Sequence, residues 1–236
     1  MNIIILMKKN NIVVVIGSSG SIGSALIQEL TNQGFQNIIG FSRKSNPSLD
    51  LLNEQSIAQS AEFVKNKNIP VSLVFDATGL LYDDNHMPEK TYKNIDLSFM
   101  KKNFEINVMG PALIMKYFLP LLDCDEKSIF ASISAKVGSI SDNRYGGWYS
   151  YRASKAALNQ IVKTASIEMK MKNKNAICLC IHPGTVESKL SKPFQKNDLK
   201  IQSPQESALH IYKILMTSSA KDTGCFYNWD GKKIEW

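Results

Sequence analysis

Tyr151 and Lys155 lie four residues apart in Tyr151-Arg152-Ala153-Ser154-Lys155, so on a helix they share one face and their heads can converge. A phenol with a reference pKa near ~10 is a poor base at neutral pH, and a nearby ammonium stabilises the phenolate, which makes such a pair a usable proton donor and acceptor. That spacing recurs on ordinary amphipathic helices, so its weight comes from other residues. Asn107 is one of them. In Asn107-Val108-Met109-Gly110-Pro111 the proline cannot donate the N–H that would bond the carbonyl of Asn107, which leaves that carbonyl available to a water or merely kinks the helix. The loop Gly17-Ser18-Ser19-Gly20-Ser21-Ile22-Gly23 is another. Its glycines let backbone approach a phosphate, and the helix that follows offers free N–H groups and the positive end of its dipole. The spacing is GxxGxxG, not the GxGxxG of the dinucleotide fingerprint.

A dinucleotide with a free ribose 2′-hydroxyl calls for a carboxylate ~20 residues beyond such a loop. Between Glu29 and Asp50 there is none, and Ser42, Arg43 and Lys44 stand at the end of the second apolar run. A guanidinium there can clamp a 2′-phosphate and stack on adenine. NADP(H) is therefore the expected cofactor, with NAD(H) the second option.

These residues need elements to hold them. The β-branched run Ile12 to Ile16 breaks at Gly17 and gives way to helical spacing through Ile22, Ala25, Leu26 and Leu30, a strand, tight turn and helix. Gly34 ends that helix, Ile38 to Phe41 reads as the next strand, and the alternation continues. Helices are expected at Glu54 to Lys67, Asp96 to Leu122, Tyr149 to Lys170 and Gln205 to Met216, and strands at Val71 to Phe75, Ser128 to Ile133, Ala176 to Ile181 and Cys225 to Tyr227. Continuously apolar strands alternating with amphipathic helices predict an α/β fold, a single Rossmann-type domain over 1–236 with a doubly wound parallel sheet and ligands beyond its carboxyl ends. Residues 1–10 are expected to form a disordered N-terminal extension.

At 44% hydrophobic and 21% charged residues, the 236-residue chain is neither disordered, collagen-like nor a disulfide scaffold. Its net charge of +7 is scattered, much of it in Lys65-Asn66-Lys67-Asn68 and Lys172-Asn173-Lys174-Asn175 at helix ends, so neither a nucleic-acid nor a membrane partner is expected. The four cysteines include no CxxC pair, and the apolar stretch Ile3 to Leu6 is too short for a signal peptide or membrane span. A reduced, cytoplasmic protein is the expectation. His86, His182 and His210 lack metal-ligand spacing, so no metal is expected.

Taken together, the Gly17 to Gly23 loop, Asp50-Leu51, Asp76-Ala77-Thr78-Gly79, Asn107, Tyr151 with Lys155, and Pro183-Gly184-Thr185-Val186-Glu187-Ser188 resemble the short-chain dehydrogenase/reductase family over essentially the whole chain. Ser134 to Ile140, Gly146 to Tyr149 and the tail Trp229 to Trp236 look like its C-factor branch, which is similar to small carbonyl reductases. The resemblance implies hydride transfer between a nicotinamide and a small-molecule carbonyl or alcohol. Tyr151 would be the proton donor, Lys155 would bind the nicotinamide ribose, and Asn107 would join a water-linked proton relay. Asp50 and Leu51 would cradle adenine, Ala77, Thr78 and Gly79 would lie along the cofactor, and Pro183, Gly184, Thr185 and Val186 would flank the nicotinamide. A homodimer or homotetramer is also implied, since the family often pairs subunits through the helices carrying Asn107 and Tyr151.

One position departs from the family. The catalytic hydroxyl is normally the second residue of Ser-Ser-x-x-Gly, and aligning Gly138 puts Ala135 there, with Ser134 one residue earlier. Adjacent strand residues face opposite ways, so Ser134, the expected catalytic serine, serves only if the backbone turns there, and Ser139 is the second candidate. A rival reading is a C-factor-type nucleotide-binding signalling or regulatory protein with weak or no turnover. The loop lysines Lys189, Lys192, Lys196 and Lys200 read as a solvated lid. Trp148, Tyr149 and Trp236 could line an apolar pocket or pack against that lid, and Met109, Met115 and Phe118 read as core.

Overall fold

Five consecutive buried residues, Ile12–Ile16, form β1 and divide alternately between two cores. Ile12, Val14 and Ile16 point to one face of the sheet and Val13 and Val15 to the other, which is why the run is apolar throughout. A computed structural model describes residues 7–188, 191–194 and 201–236. The other strands are β2 (Asn37–Phe41), β3 (Val71–Asp76), β4 (Ser128–Ile133), β5 (Ala176–His182), the short β6 (Thr185–Val186) and β7 (Ile201–Gln202), and β8 (Cys225–Asn228). The helices are α1 (Ser21–Asn32), α2 (Glu54–Lys65), α3 (Leu97–Phe104), α4 (Gly110–Phe118), α5 (Tyr149–Lys172) and α6 (Pro204–Thr217).

The main sheet runs β2-β1-β3-β4-β5-β8 with every pair parallel, and β6 pairs with β7 in a separate two-stranded ribbon. Residues of α1 and α6 fill one core, and residues of α2, α4 and α5 fill the other. This is the expected doubly wound α/β sheet. Strand order reverses between β1 and β3, so a crevice opens beyond their carboxyl ends, at Gly17 and Ala77. Among the described residues no helix is long and apolar enough to cross a membrane.

Three expectations need correction. The helix expected from Asp96 to Leu122 is broken: α3 passes into a π turn at Glu105–Met109, then α4, then a 3-10 turn at Leu119–Leu121. The N–H of Gly110 reaches Glu105 O, and Pro111 follows without an N–H of its own. The π turn adds a residue to the helical phase, so Asn107 is buried while Met109, expected in the core, is 56% exposed. Met115 and Phe118 are buried as expected. The extension expected over 1–10 is not loose where it is described. Met7 is buried in a core, Lys8 pairs with Glu126 at 2.8 Å, and Lys9 O accepts from Gln36 N; residues 1–6 lie outside the described residues.

Candidate active site

The glycine loop is folded by its own backbone. Gly17 N and Ser18 N both donate to Phe41 O, and Gly17 has a φ of 83°, in the left-handed region that glycine tolerates. A Cβ on Gly23 would collide with the carbonyl of Gly17, so that glycine allows α1 to start directly beneath the loop. Gly20 occupies the N-cap of α1 without a side-chain cap bond, and Ser19, Gly20 and Ser21 are exposed around that end, with Ser18 and Ile22 half-buried. The first N–H groups of α1 therefore remain available to an anion, as a pyrophosphate requires.

Beside it, Ala77 N donates to Ile16 O at 2.8 Å, bringing Ala77-Thr78-Gly79 alongside Gly17. Asp76, fully buried, anchors the turn: it accepts from Thr78 N and Oγ1 and from Ser132 Oγ. Burial pushes its carboxyl pKa up, against the pull of those hydrogen bonds and of Lys155. At the far end of the crevice Arg43 is exposed and has no ion-pair partner among the described residues, and the Ser42 hydroxyl accepts from Lys44 N. Asp50 accepts from Leu52 N, and Leu51 packs against Gly110, where a Cβ would sit 2.9 Å from the Leu51 side chain.

The buried face of α5 is polar for its first turns and apolar below. It reads Ser150, Tyr151, Ser154, Lys155, Leu158, Asn159, Val162. Lys155, 1% exposed, donates from Nζ to Ile133 O at 2.9 Å, and its Nζ lies 5.9 Å from the ring centre of Tyr151. Burial pulls Lys155 down to about 8, opposed by Asp76. Burial also raises Tyr151, so its phenol holds its proton at neutral pH. A Cβ on Gly79 would meet Lys155 Nζ at 3.4 Å and Asn107 Oδ1 at 3.6 Å, so three of the expected residues converge on one point. Asn107 is pinned there: its Oδ1 accepts from Leu80 N, and its Nδ2 donates to Leu80 O and Ser154 Oγ. Gly138 lets the loop after β4 touch α5, since a Cβ would sit 2.8 Å from Lys155 backbone.

Neither serine candidate joins them. Ser134 Oγ donates to Asn159 Oδ1 at 2.6 Å, beneath the site, and Ser139 Oγ is bonded to Glu235 O. The chain does not turn at Ser134. Ser132 and Ser134 point the same way, toward Asp76 and α5, and Ala135 is the residue whose side chain packs with Leu81 and Tyr151. That cluster is walled by Tyr82, Val137, Trp148 and Phe194, with Trp148 edge-on to Tyr151 at 6.2 Å and to Phe194 at 5.0 Å. Trp236 instead stacks on Phe226, and Tyr149 is exposed. On the other side Pro183 O accepts from Ser207 Oγ, and Gly184, at a φ of 82°, leads into β6, so Pro183 to Val186 is held over the end of β5 by α6. Lys192 begins a 3-10 turn that carries Phe194; Lys189, Lys196 and Lys200 lie outside the described residues. No group of His, Cys, Asp and Glu among the described residues could hold a metal.

Sequence reasoning missed Glu89, a buried carboxyl bonded to the first turn of α5. The signal available was the lack of a capping side chain at Trp148.

The family model described as short chain dehydrogenase matches residues 47–199. A 1-hydroxy-2-glutathionyl-2-methyl-3-butene dehydrogenase of Rhodococcus sp. (strain AD45) is 27% identical over 190 residues, 80% of this chain and 79% of that protein. C-signal of Myxococcus xanthus is 27% identical over 143 residues, 61% of this chain and 82% of that protein. Among solved structures, the NADPH-bound carbonyl reductase from chicken fatty liver superposes with a TM-score of 0.84 at 24% identity, covering 98% of this chain and 96% of that one. With the family model spanning more than half of its length, the chain belongs to the short chain dehydrogenase family of NAD(P)-dependent oxidoreductases.

Proposed function

We propose that this protein reduces small apolar carbonyl compounds with NADPH, using Tyr151 as the proton donor. The observation that carries the reading is the convergence of Tyr151, Lys155, Asn107 and Gly79 at the carboxyl end of the sheet, beside the uncapped start of α1. The nicotinamide, when bound, supplies the hydride. The residues suited to hold the cofactor are the Gly17 to Gly23 loop, Arg43, Asp50 and Leu51, Ala77 to Gly79, Lys155, and Pro183 to Val186. Arg43 is the group suited to a ribose 2′-phosphate, because no carboxylate occupies that strand end.

The protein's own chemistry is proton delivery. The buried phenol of Tyr151 enters protonated and gives its proton to the substrate oxygen. The Lys155 ammonium stands close enough to stabilise the phenolate left behind, and its pKa of about 8 lets it exchange protons near neutrality. The π turn at Asn107 lies against the same point and is the natural route by which solvent replaces the proton. Ala135 offers no hydroxyl, so polarisation of the carbonyl falls to Tyr151. The walls of Tyr82, Trp148 and Phe194 suit a flat, apolar substrate.

Tyr151→Phe tests this. The variant should bind NADPH as the parent does and lose reduction of 4-nitrobenzaldehyde by about a hundredfold or more, since only the transferable proton is gone. Near-parental turnover would remove Tyr151 from the role. A second reading, a nucleotide-binding signalling protein with little turnover, is favoured by Ala135 and by the similarity to C-signal. NADPH binding without turnover on a broad carbonyl panel would support it.

A further inference from the structure

Helix α5 carries the proposed acid as its third residue, yet it opens without a cap of its own. Its N-cap is Trp148, whose side chain makes no cap hydrogen bond and whose backbone has a φ of 54°. Gly146 and Gly147 precede it at 62° and 64°. A left-handed tryptophan after two left-handed glycines persists only if something else holds it. Glu89, 61 residues earlier than Ser150 and 3% exposed, does so on both sides. Its backbone oxygen accepts from Trp148 N at 2.5 Å. Its carboxylate accepts from Ser150 N at 3.2 and 3.3 Å and from the Ser150 hydroxyl.

The loop that brings Glu89 is itself braced. Asp83 accepts from Lys102 Nζ at 2.6 Å and is bonded to the His86 ring at 2.9 Å, and that ring stacks on Phe99 of α3 at 5.0 Å. Pro88, beside Glu89, is buried. The segment from Asp83 to Glu89 is thus a strap from α3 to the first turn of α5, and its last side chain ends one residue from Tyr151.

We propose that Glu89 is a positioning residue for Tyr151. By supplying the cap that Trp148 lacks, it fixes the height of the phenol along the helix axis and the edge-on seat of Trp148 against it. The inference rests on the reading of Tyr151 as the acid. A loose first turn would leave the Gly17 to Gly23 loop untouched while displacing the phenol and Trp148, and a misplacement of about 1 Å can cost on the order of a hundredfold in rate.

The test compares Glu89→Ala, Glu89→Gln and Ser150→Ala with the parent, using NADPH and 4-nitrobenzaldehyde for turnover and amide hydrogen exchange over 148–152 for the helix start. Glu89→Ala should lower kcat about a hundredfold with KM for NADPH within about twofold, and should speed exchange at 148–152. Glu89→Gln keeps the length and one acceptor and should recover roughly tenfold of that loss. Ser150→Ala in the Glu89→Ala background should add little, because both changes remove the same contact. Unchanged exchange, or kcat within twofold of the parent, overturns the proposal. So does a parallel loss of kcat and NADPH affinity with Glu89→Gln no better than Glu89→Ala, which is general loosening of the fold. If Glu89→Ala does not fold, Glu89→Gln decides, with faster exchange at 148–152 and a kcat about tenfold below the parent expected, and with unchanged exchange or kcat within twofold overturning the proposal. If the parent is inactive or Tyr151→Phe behaves like it, the acid reading fails, and the exchange rates still judge the clamp.

Discussion

Replacing Ala135 with serine should make the enzyme faster, the reverse of what a core substitution next to the proposed acid, Tyr151, ordinarily does. Ala135 has an extended backbone at φ −143° and ψ 142°, and its methyl packs beside Tyr151 and Leu81. If Tyr151 is the acid proposed above, a hydroxyl added there would face the position where charge develops on the substrate oxygen. A well-placed donor of this kind is worth at least ~2.7 kcal/mol in the transition state. Holding one of three serine rotamers costs ~0.65 kcal/mol, which leaves about 2 kcal/mol, or roughly thirtyfold in kcat. KM should move little, because the contact is made mainly in the transition state. Ser134→Ala is the matched control. It removes the 2.6 Å bond to Asn159 Oδ1 and leaves that buried acceptor without its hydroxyl donor. The expected cost is about 1–3 kcal/mol of stability, a fall in Tm of roughly 2–12 °C, with kcat unchanged. Steady-state NADPH oxidation on one aldehyde and thermal melts of both variants suffice. A tenfold drop in kcat for Ser134→Ala at unchanged Tm, with no gain from Ala135→Ser, would refute the reasoning and return the hydroxyl role to Ser134.

Two further outcomes follow from groups at the edges of the site. Arg43→Ala should weaken NADPH by about ten- to a hundredfold, the worth of one charge-assisted contact, and leave NADH within twofold; equal losses in a fluorescence titration would count against a 2′-phosphate clamp. His182 has a buried Nδ1 without a hydrogen-bond partner among the described residues, and burial, helped by Lys136, holds its pKa down to about 4. In the unfolded chain it titrates near ~6.5, so between these values the unfolded state binds the extra proton and stability rises with pH. Acidification from 6.5 to 4 should therefore cost on the order of 3 kcal/mol through this one residue. In His182→Gln that part of the slope should vanish, and melting curves that stay parallel to the parent's across the window would disprove the assignment.

What was legible in the sequence was whatever short-range physics decides. A strand buried on both faces has to be apolar throughout, so Ile12–Ile16 announces itself, and Gly17 and Gly23 mark the turn because no other side chain fits there. Tyr151 and Lys155 were legible because a helix has one period. The failures begin where the period changes or a partner is distant. One π turn shifts the phase between Asn107 and Pro111, and a methionine expected in the core comes out exposed. Strand alternation alone forbids Ser134 and Ala135 from facing the same way, but which of them meets Tyr151 depends on how β4 sits over α5. Glu89 could be inferred only as an absence, a helix start with no capping side chain, since its carboxyl arrives from 61 residues away. These places coincide with the site for a physical reason. A polar stripe of Ser154, Lys155 and Asn159 cannot be buried against regular helix or sheet, because it needs partners that regular ladders do not offer. The π turn at Asn107, the carbonyl of Ile133 and the hydroxyl of Ser134 are those partners. The irregularities that sequence periodicity cannot express are thus what allows a charged helix face to stay buried next to Tyr151.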